Sequence, residues 1–150
     1  MYGMIVVDDK EDIVRGIEKL GNWREIGVEI IGIASNGLEA LKLVKKFKPK
    51  IIITDIKMPV MDGLQLTQKA IEFDETVKII LLSGYGEFMY AQQAMRLGAK
   101  EYLLKPATIE TITEAVLRAK EEILIGEMRF SENIERSEEH TSELQSPVRS

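Results

Sequence analysis

Ile51-Ile52-Ile53-Thr54-Asp55 is the stretch that decides the fold. Within the run Lys50–Thr54 the three isoleucines are adjacent, with no polar residue on an alternate face. A strand apolar on both faces is covered on both faces, which is the condition of a parallel sheet between two layers of helices. Lys78–Leu82 repeats the pattern, and Met4–Val7, Glu29–Ala34 and Glu101–Leu104 are further short runs rich in Ile, Val and Leu. Helical spacing fills the gaps between them: Ile13, Ile17 and Leu20; Leu38, Leu41 and Val44; Leu64, Ala70 and Ile71; Ala91, Ala94 and Met95; Ile112, Val116, Ala119 and Ile123. Strand then helix, five times over and with right-handed crossovers, predicts a doubly wound α/β sheet. Asn36-Gly37, Pro49, Met61-Asp62-Gly63 and Ser83-Gly84-Tyr85-Gly86 punctuate the elements. Thr108 is placed to cap the last helix, with Thr111 in the third position.

Composition narrows the chemistry. A chain of 150 residues supports one domain with a substantial core. It has no Cys, which excludes disulfides, zinc-thiolate sites and thiol catalysis. Its one His, His140, lies in the C-terminal tail. With 20 basic and 25 acidic residues the net charge is -5, a poor balance for direct nucleic-acid binding, which needs clustered Lys and Arg. The apolar runs are too short to span a membrane, and residues 1–9 lack the basic-then-apolar order of a signal peptide. A cytoplasmic domain is the expectation.

Ligands of a doubly wound sheet bind outside the carboxyl ends of its strands. The residues at those ends are Asp8 and Asp9 after the first strand, Asp55 after the third, Ser83 after the fourth and Lys105 after the fifth. A lone acid at a strand end is most often a solvated turn residue; convergence from several strands is more specific. Three gathered carboxylates repel one another, and a hard divalent cation such as Mg²⁺ relieves the repulsion while keeping positions open for a phosphoryl oxygen. Lys105 and Ser83 supply a charge and a hydroxyl for further phosphoryl oxygens. The set reads as a carboxylate that accepts a phosphoryl group.

Val7-Asp8-Asp9, Asp55-Ile56-Lys57-Met58-Pro59-Val60-Met61-Asp62-Gly63, Leu82-Ser83-Gly84-Tyr85 and Tyr102-Leu103-Leu104-Lys105-Pro106 resemble the motifs of two-component response regulator receiver domains, over roughly residues 1–125. The resemblance implies a CheY-like, flavodoxin-like sheet of five parallel strands in the order 2-1-3-4-5 with five helices. It implies Asp55 as phosphoacceptor, served by a sensor histidine kinase. It implies Mg²⁺ on Asp8, Asp9, Asp55 and the backbone carbonyl of Lys57. Ser83 and Lys105 would contact the phosphoryl group, Ser83 and Tyr102 would form the switch, and the bond before Pro106 would be cis. Such a domain catalyses only its own phosphorylation and dephosphorylation, so no enzyme acting on outside substrates is expected. Trp23 with Gly27, Asn36-Gly37 and residues 83–91 further resemble receivers joined to AraC-type helix-turn-helix domains. Lys10, where an acid is more usual, adds a positive charge beside the metal pocket, and Ala107 is smaller than usual.

Three rival readings were weighed. A pseudo-receiver acting as an interaction module is disfavoured by the complete acid, Ser and Lys set. A haloacid-dehalogenase-like phosphatase needs a second Asp two residues after its nucleophile, where Lys57 stands. A flavodoxin-like cofactor binder needs a glycine- or hydroxyl-rich phosphate loop after the first strand, where Asp8-Asp9 would repel phosphate.

Residues 126–135 read as the start of a linker or helix extension, with a dimer seam possible in the intact protein. Residues 136–150 read as disordered, and Arg136–Ser146 agrees residue for residue with one frame of a common sequencing-library adapter. Without that tail the chain remains acidic and has no His. The expectation is a receiver separated from a DNA-binding output domain, which would be its only route to DNA, with a sensor kinase and a second copy as partners and no membrane.

Overall fold

The computed structural model describes residues 1–144, with side-chain surroundings through residue 135. The strands are β1 (Tyr2–Val7), β2 (Val28–Ala34), β3 (Ile51–Asp55), β4 (Lys78–Ser83) and β5 (Glu101–Leu104). The helices are α1 (Glu11–Leu20), α2 (Gly37–Phe47), α3 (Gly63–Phe73), α4 (Phe88–Leu97) and α5 (Ile109–Leu144), with a short 3-10 turn at Trp23–Ile26. All strand pairs are parallel and the order is β2-β1-β3-β4-β5. The predicted fold class and strand order are therefore the observed ones.

β3 lies at the centre, and Ile51, Ile52 and Ile53 are each fully buried. Burying such a side chain stabilises by about 1.5–3 kcal/mol relative to leaving it in water. β1 and β4 flank it with Met4 to Val7 and Ile79 to Leu82, also buried. The unbroken apolar runs thus form the sheet's middle, where helices cover both faces. The chain divides into two compact units, Met1–Lys120 and Glu121–Ser150. The first holds the sheet, four helices and the start of α5. The second is the remainder of α5 within the described residues, whereas the sequence reading ends the domain at about residue 125. The backbone over residues 126–135 is helical. Backbone 136–144 is also helical, and residues 145–150, the end of the stretch read as disordered, lie outside the described residues.

Helical faces differ in detail from the periodic reading. α1 buries Val14 and Ile17 and leaves Leu20 66% exposed. α2 buries Ala40, Leu41 and Val44 and leaves Leu38 exposed. α4 buries only Ala91 and Ala94, with Met95 turned outward. In α2 and α4 alanine lets the helix approach the sheet closely, so small residues help to set the buried stripe.

Two caps position the loops around the sheet's carboxyl edge. Asn36 Oδ1 accepts from the Glu39 amide at 2.9 Å. Asp62 and Gln65 form a capping box, with Gln65 N donating to Asp62 Oδ1 at 2.8 Å and Asp62 N donating to Gln65 Oε1 at 3.1 Å. The box starts α3 hard against the end of β3, where Gly63 N donates to Ile56 O at 2.6 Å. A Cβ on Gly63 would sit 2.1 Å from the Asp55 carbonyl oxygen. Gly16 on α1 has open space instead, with nothing within 4 Å. Gly63→Ala is expected to lower stability by about 3 kcal/mol, because rigid backbone must shift. Gly16→Ala is expected to raise it by roughly 0.5–1 kcal/mol through helix propensity. Urea unfolding of both variants checks the pair, and equal effects would contradict the close approach at Gly63.

Candidate phosphoacceptor site

β1, β3, β4 and β5 each deliver their chemistry at the last residue or just beyond. Asp8 follows β1, and its amide donates to Ala34 O at 3.1 Å. Its Oδ1 accepts from Lys10 N at 2.9 Å. Asp55 ends β3, and its Oδ1 accepts from Ile56 N at 2.9 Å. Ser83 ends β4, and its carbonyl accepts from Lys105 N at 2.8 Å. Asp8, Asp55 and Ser83 are buried side chains; Asp9 is exposed.

The structure brings four of the predicted residues together: Asp8, Asp9, Asp55 and Lys105. Asp8, Asp9 and Asp55 each offer a carboxylate oxygen within 4.8 Å of the others. Lys105 Nζ lies 2.9 Å from Asp55 Oδ1 and 3.7 Å from Asp8 Oδ2. The second distance is too long for a hydrogen bond. Asp8 Oδ2 is in fact a buried side-chain oxygen without any hydrogen-bond partner. An orphaned carboxylate oxygen facing two more carboxylates fits a hard divalent cation, whose ligands are oxygens. The Lys105–Pro106 peptide is cis. Tyr102 is half-buried on β5 and meets Phe88 edge-on, with ring centroids 6.3 Å apart at 74°.

Electrostatics agree with this geometry. Burial pushes the Asp8 carboxyl above its ordinary value; the charges of Asp55 and Asp9 add to the rise, while the Lys10 amide and the Lys105 charge oppose it. Burial pulls the Lys105 ammonium down, but its hydrogen bond to Asp55 and the charges of Asp55, Asp8 and Glu87 outweigh that and hold it above its ordinary value.

Three features had no counterpart in the sequence reading. Glu87 accepts a hydrogen bond from the Gly84 amide. Lys57 Nζ sits over the Tyr90 ring at 5.5 Å. Val60, in the loop after Asp55, has φ 70, a left-handed conformation that a β-branched residue adopts only under strain. Only the capping box carried a sequence signal, Asp62 followed by Gln65 three residues on.

A doubly wound sheet in this strand order, with an acidic cluster and a lysine at its carboxyl edge, is a CheY-like domain. Residues 4–117 match the family model for the response regulator receiver domain, and the chain belongs to that family. It is 42% identical over 116 residues to the uncharacterized transcriptional regulatory protein YesN of Bacillus subtilis, covering 77% of this chain and 32% of that one. Among solved structures it resembles the REC domain of AraT, a response regulator from Geobacillus stearothermophilus, with TM-score 0.80 and 35% identity over 84% of this chain and 98% of that one. It also resembles a two-component transcriptional regulator AraC from Clostridium phytofermentans, with TM-score 0.77 and 27% identity, covering 83% and 96% of the two chains. The chain spans about a third to a half of the length of the curated relatives it matches. Receiver domains bind Mg²⁺ at an acidic pocket of this kind and interact with histidine kinases. Among the described residues, no helix is long and apolar enough to cross a membrane.

The raised Asp8 value sets a pH dependence. The folded protein holds the Asp8 proton more tightly than the unfolded chain does, so this group favours folding below its ordinary value of 3.8. That contribution is lost as pH rises through the raised folded value. Ionised Asp8 therefore costs stability at neutral pH. In metal-free protein at pH 7, Asp8→Asn is expected to be more stable by about 1–2 kcal/mol. The gain should shrink towards pH 4, and added Mg²⁺ should stabilise the wild type but not the variant. Denaturant titrations at several pH values check this, and a gain that grows on acidification would contradict it.

Proposed function

We propose that this domain accepts a phosphoryl group on Asp55 from a phosphohistidine of a sensor histidine kinase. The observation that carries the reading is the Lys105 Nζ–Asp55 Oδ1 contact at 2.9 Å beside the clustered Asp8 and Asp9 carboxylates. An Asp55 oxygen bonds to phosphorus as the P–N bond breaks, and the electron pair leaves with the imidazole nitrogen, which is then protonated. Asp8, Asp9 and Asp55, with the Lys57 carbonyl, would hold Mg²⁺, which when bound supplies charge neutralisation for carboxylates and phosphoryl oxygens. Lys105, already on Asp55, becomes a donor to the transferred group, and Ser83 at the end of β4 offers its hydroxyl.

The new charge then favours an arrangement in which Ser83 and Lys105 have partners they lack before transfer. Tyr102, packed on Phe88 at the start of α4, carries the change to the surface. The domain acts on itself and turns over no outside substrate. In a longer protein it would govern a transcriptional output domain of AraC type, with DNA bound through that domain and a second copy as a possible partner.

Incubation with Mg²⁺ and a small acyl phosphate, followed by mass spectrometry, tests the reading. One phosphoryl group should appear on Asp55, and none in Asp55→Asn or in the absence of Mg²⁺. A wild-type chain that stays unlabelled would favour the pseudo-receiver, an interaction module independent of phosphorylation.

A further inference from the structure

The loop between β4 and α4 is closed on itself by Glu87. Glu87 N donates to Gly84 O at 3.2 Å, and the Glu87 carboxylate accepts from Gly84 N. Gly84 is the residue after Ser83, and Glu87 is the residue before α4, so one side chain pins both ends of the loop. Tyr85, between them, is fully exposed and contributes no packing to hold it. Space is tight at the contact: a Cβ on Gly84 would lie 2.9 Å from Glu87 Oε1. Asp55 pairs with Leu82 in the β3–β4 register, so Gly84, two residues further on, and the carboxylate held on its amide stand at the same rim as the acceptor site, where an added anion repels it.

We propose that Glu87 is an anionic latch: its carboxylate holds the Gly84 amide and the start of α4 before phosphorylation, and is expelled when negative charge is added at Asp55. The inference rests on Asp55 being the phosphoacceptor and adds the group that opposes the switch. Latch and phosphoryl group are both anions at one rim, so each weakens the hold of the other. Reciprocity requires that removing the latch strengthen binding of the phosphoryl group. Glu87 is thus a positioning residue, acting on the loop and not on the reacting atoms.

The probe is beryllofluoride with Mg²⁺, a mimic of the phosphoryl group, titrated against the whole chain. Glu87→Gln, which keeps the shape and removes the charge, is expected to bind it about three- to tenfold more tightly than wild type. Gly84→Ala, whose methyl displaces the carboxylate, should act in the same direction, and the double variant should gain little beyond either single one. High salt should shrink the difference between wild type and Glu87→Gln, which a purely structural role would not produce. In metal-free protein, the Gly84 amide proton should move upfield in Glu87→Gln as its charged acceptor is lost. Emission from buried Trp23 reports whether each variant is folded.

Equal or weaker binding in folded Glu87→Gln and Gly84→Ala, with wild type binding normally, overturns the latch alone. An unmoved Gly84 amide overturns it too. Absence of binding in the wild type overturns the phosphoacceptor reading, and the latch with it.

Discussion

The contact between Lys105 Nζ and Asp55 Oδ1, at 2.9 Å, joins the end of β3 to the residue after β5, with β4 between them. Three carboxylates on one sheet edge would repel one another at a cost of several kcal/mol if left uncompensated in a buried setting. Lys105 supplies the only compensation that the described side chains within contact distance of Asp55 give. It does so incompletely, because Asp8 Oδ2 remains without a hydrogen bond. The remaining deficit is what makes the pocket fit a divalent cation. Stability and the acidic cluster are in opposition here, since gathering three carboxylates at one edge costs the metal-free fold.

The surrounding structure serves to hold that edge in place. Parallel strands end side by side, so residues far apart in sequence arrive at one rim. Gly63 allows α3 to begin directly against the end of β3, and the Asp62–Gln65 box fixes where it begins. The loop from Lys57 to Asp62 is consequently short and taut, and Val60 is held in the left-handed region within it. Strain of this kind persists only where neighbours over-determine the backbone. Here those neighbours are the cap on one side and the last residue of a fully buried strand on the other.

Much of this was legible in the sequence. The Ile51–Ile53 and Ile79–Leu82 runs announce central strands because burial on both faces removes every reason for a polar alternate. The site residues were legible because each stands directly after such a run, where the strand direction fixes its position. Helical faces were less so. Leu20, Leu38 and Met95 satisfy the period yet are exposed, while Ala40, outside the period read for α2, is buried. Hydrophobicity alone does not record how closely two backbones approach. Glu87 was not legible either: its partner is a backbone amide, and no residue type at Gly84 signals that its N–H is held.

Lysines near the site show why proximity in sequence is a weak guide to effect. Lys10 stands next to Asp9, and its backbone amide binds Asp8. That bond would form with nearly any residue at the position, and the side chain is exposed to solvent, where screening blunts its charge. Lys57 is two residues from Asp55, but its ammonium rests over the Tyr90 ring on α4. A cation–π contact at such an exposed site is worth about 0.5–1 kcal/mol. It draws the cation towards α4 and ties the loop after β3 to that helix. Glu87 ties the loop after β4 to the same helix from the other side. α4 is thus tethered to the acceptor rim by one cation and one anion, and it packs on the sheet with only Ala91 and Ala94 buried. A helix with so small a buried face leans on these two charge-dependent contacts more than a deeply packed helix would.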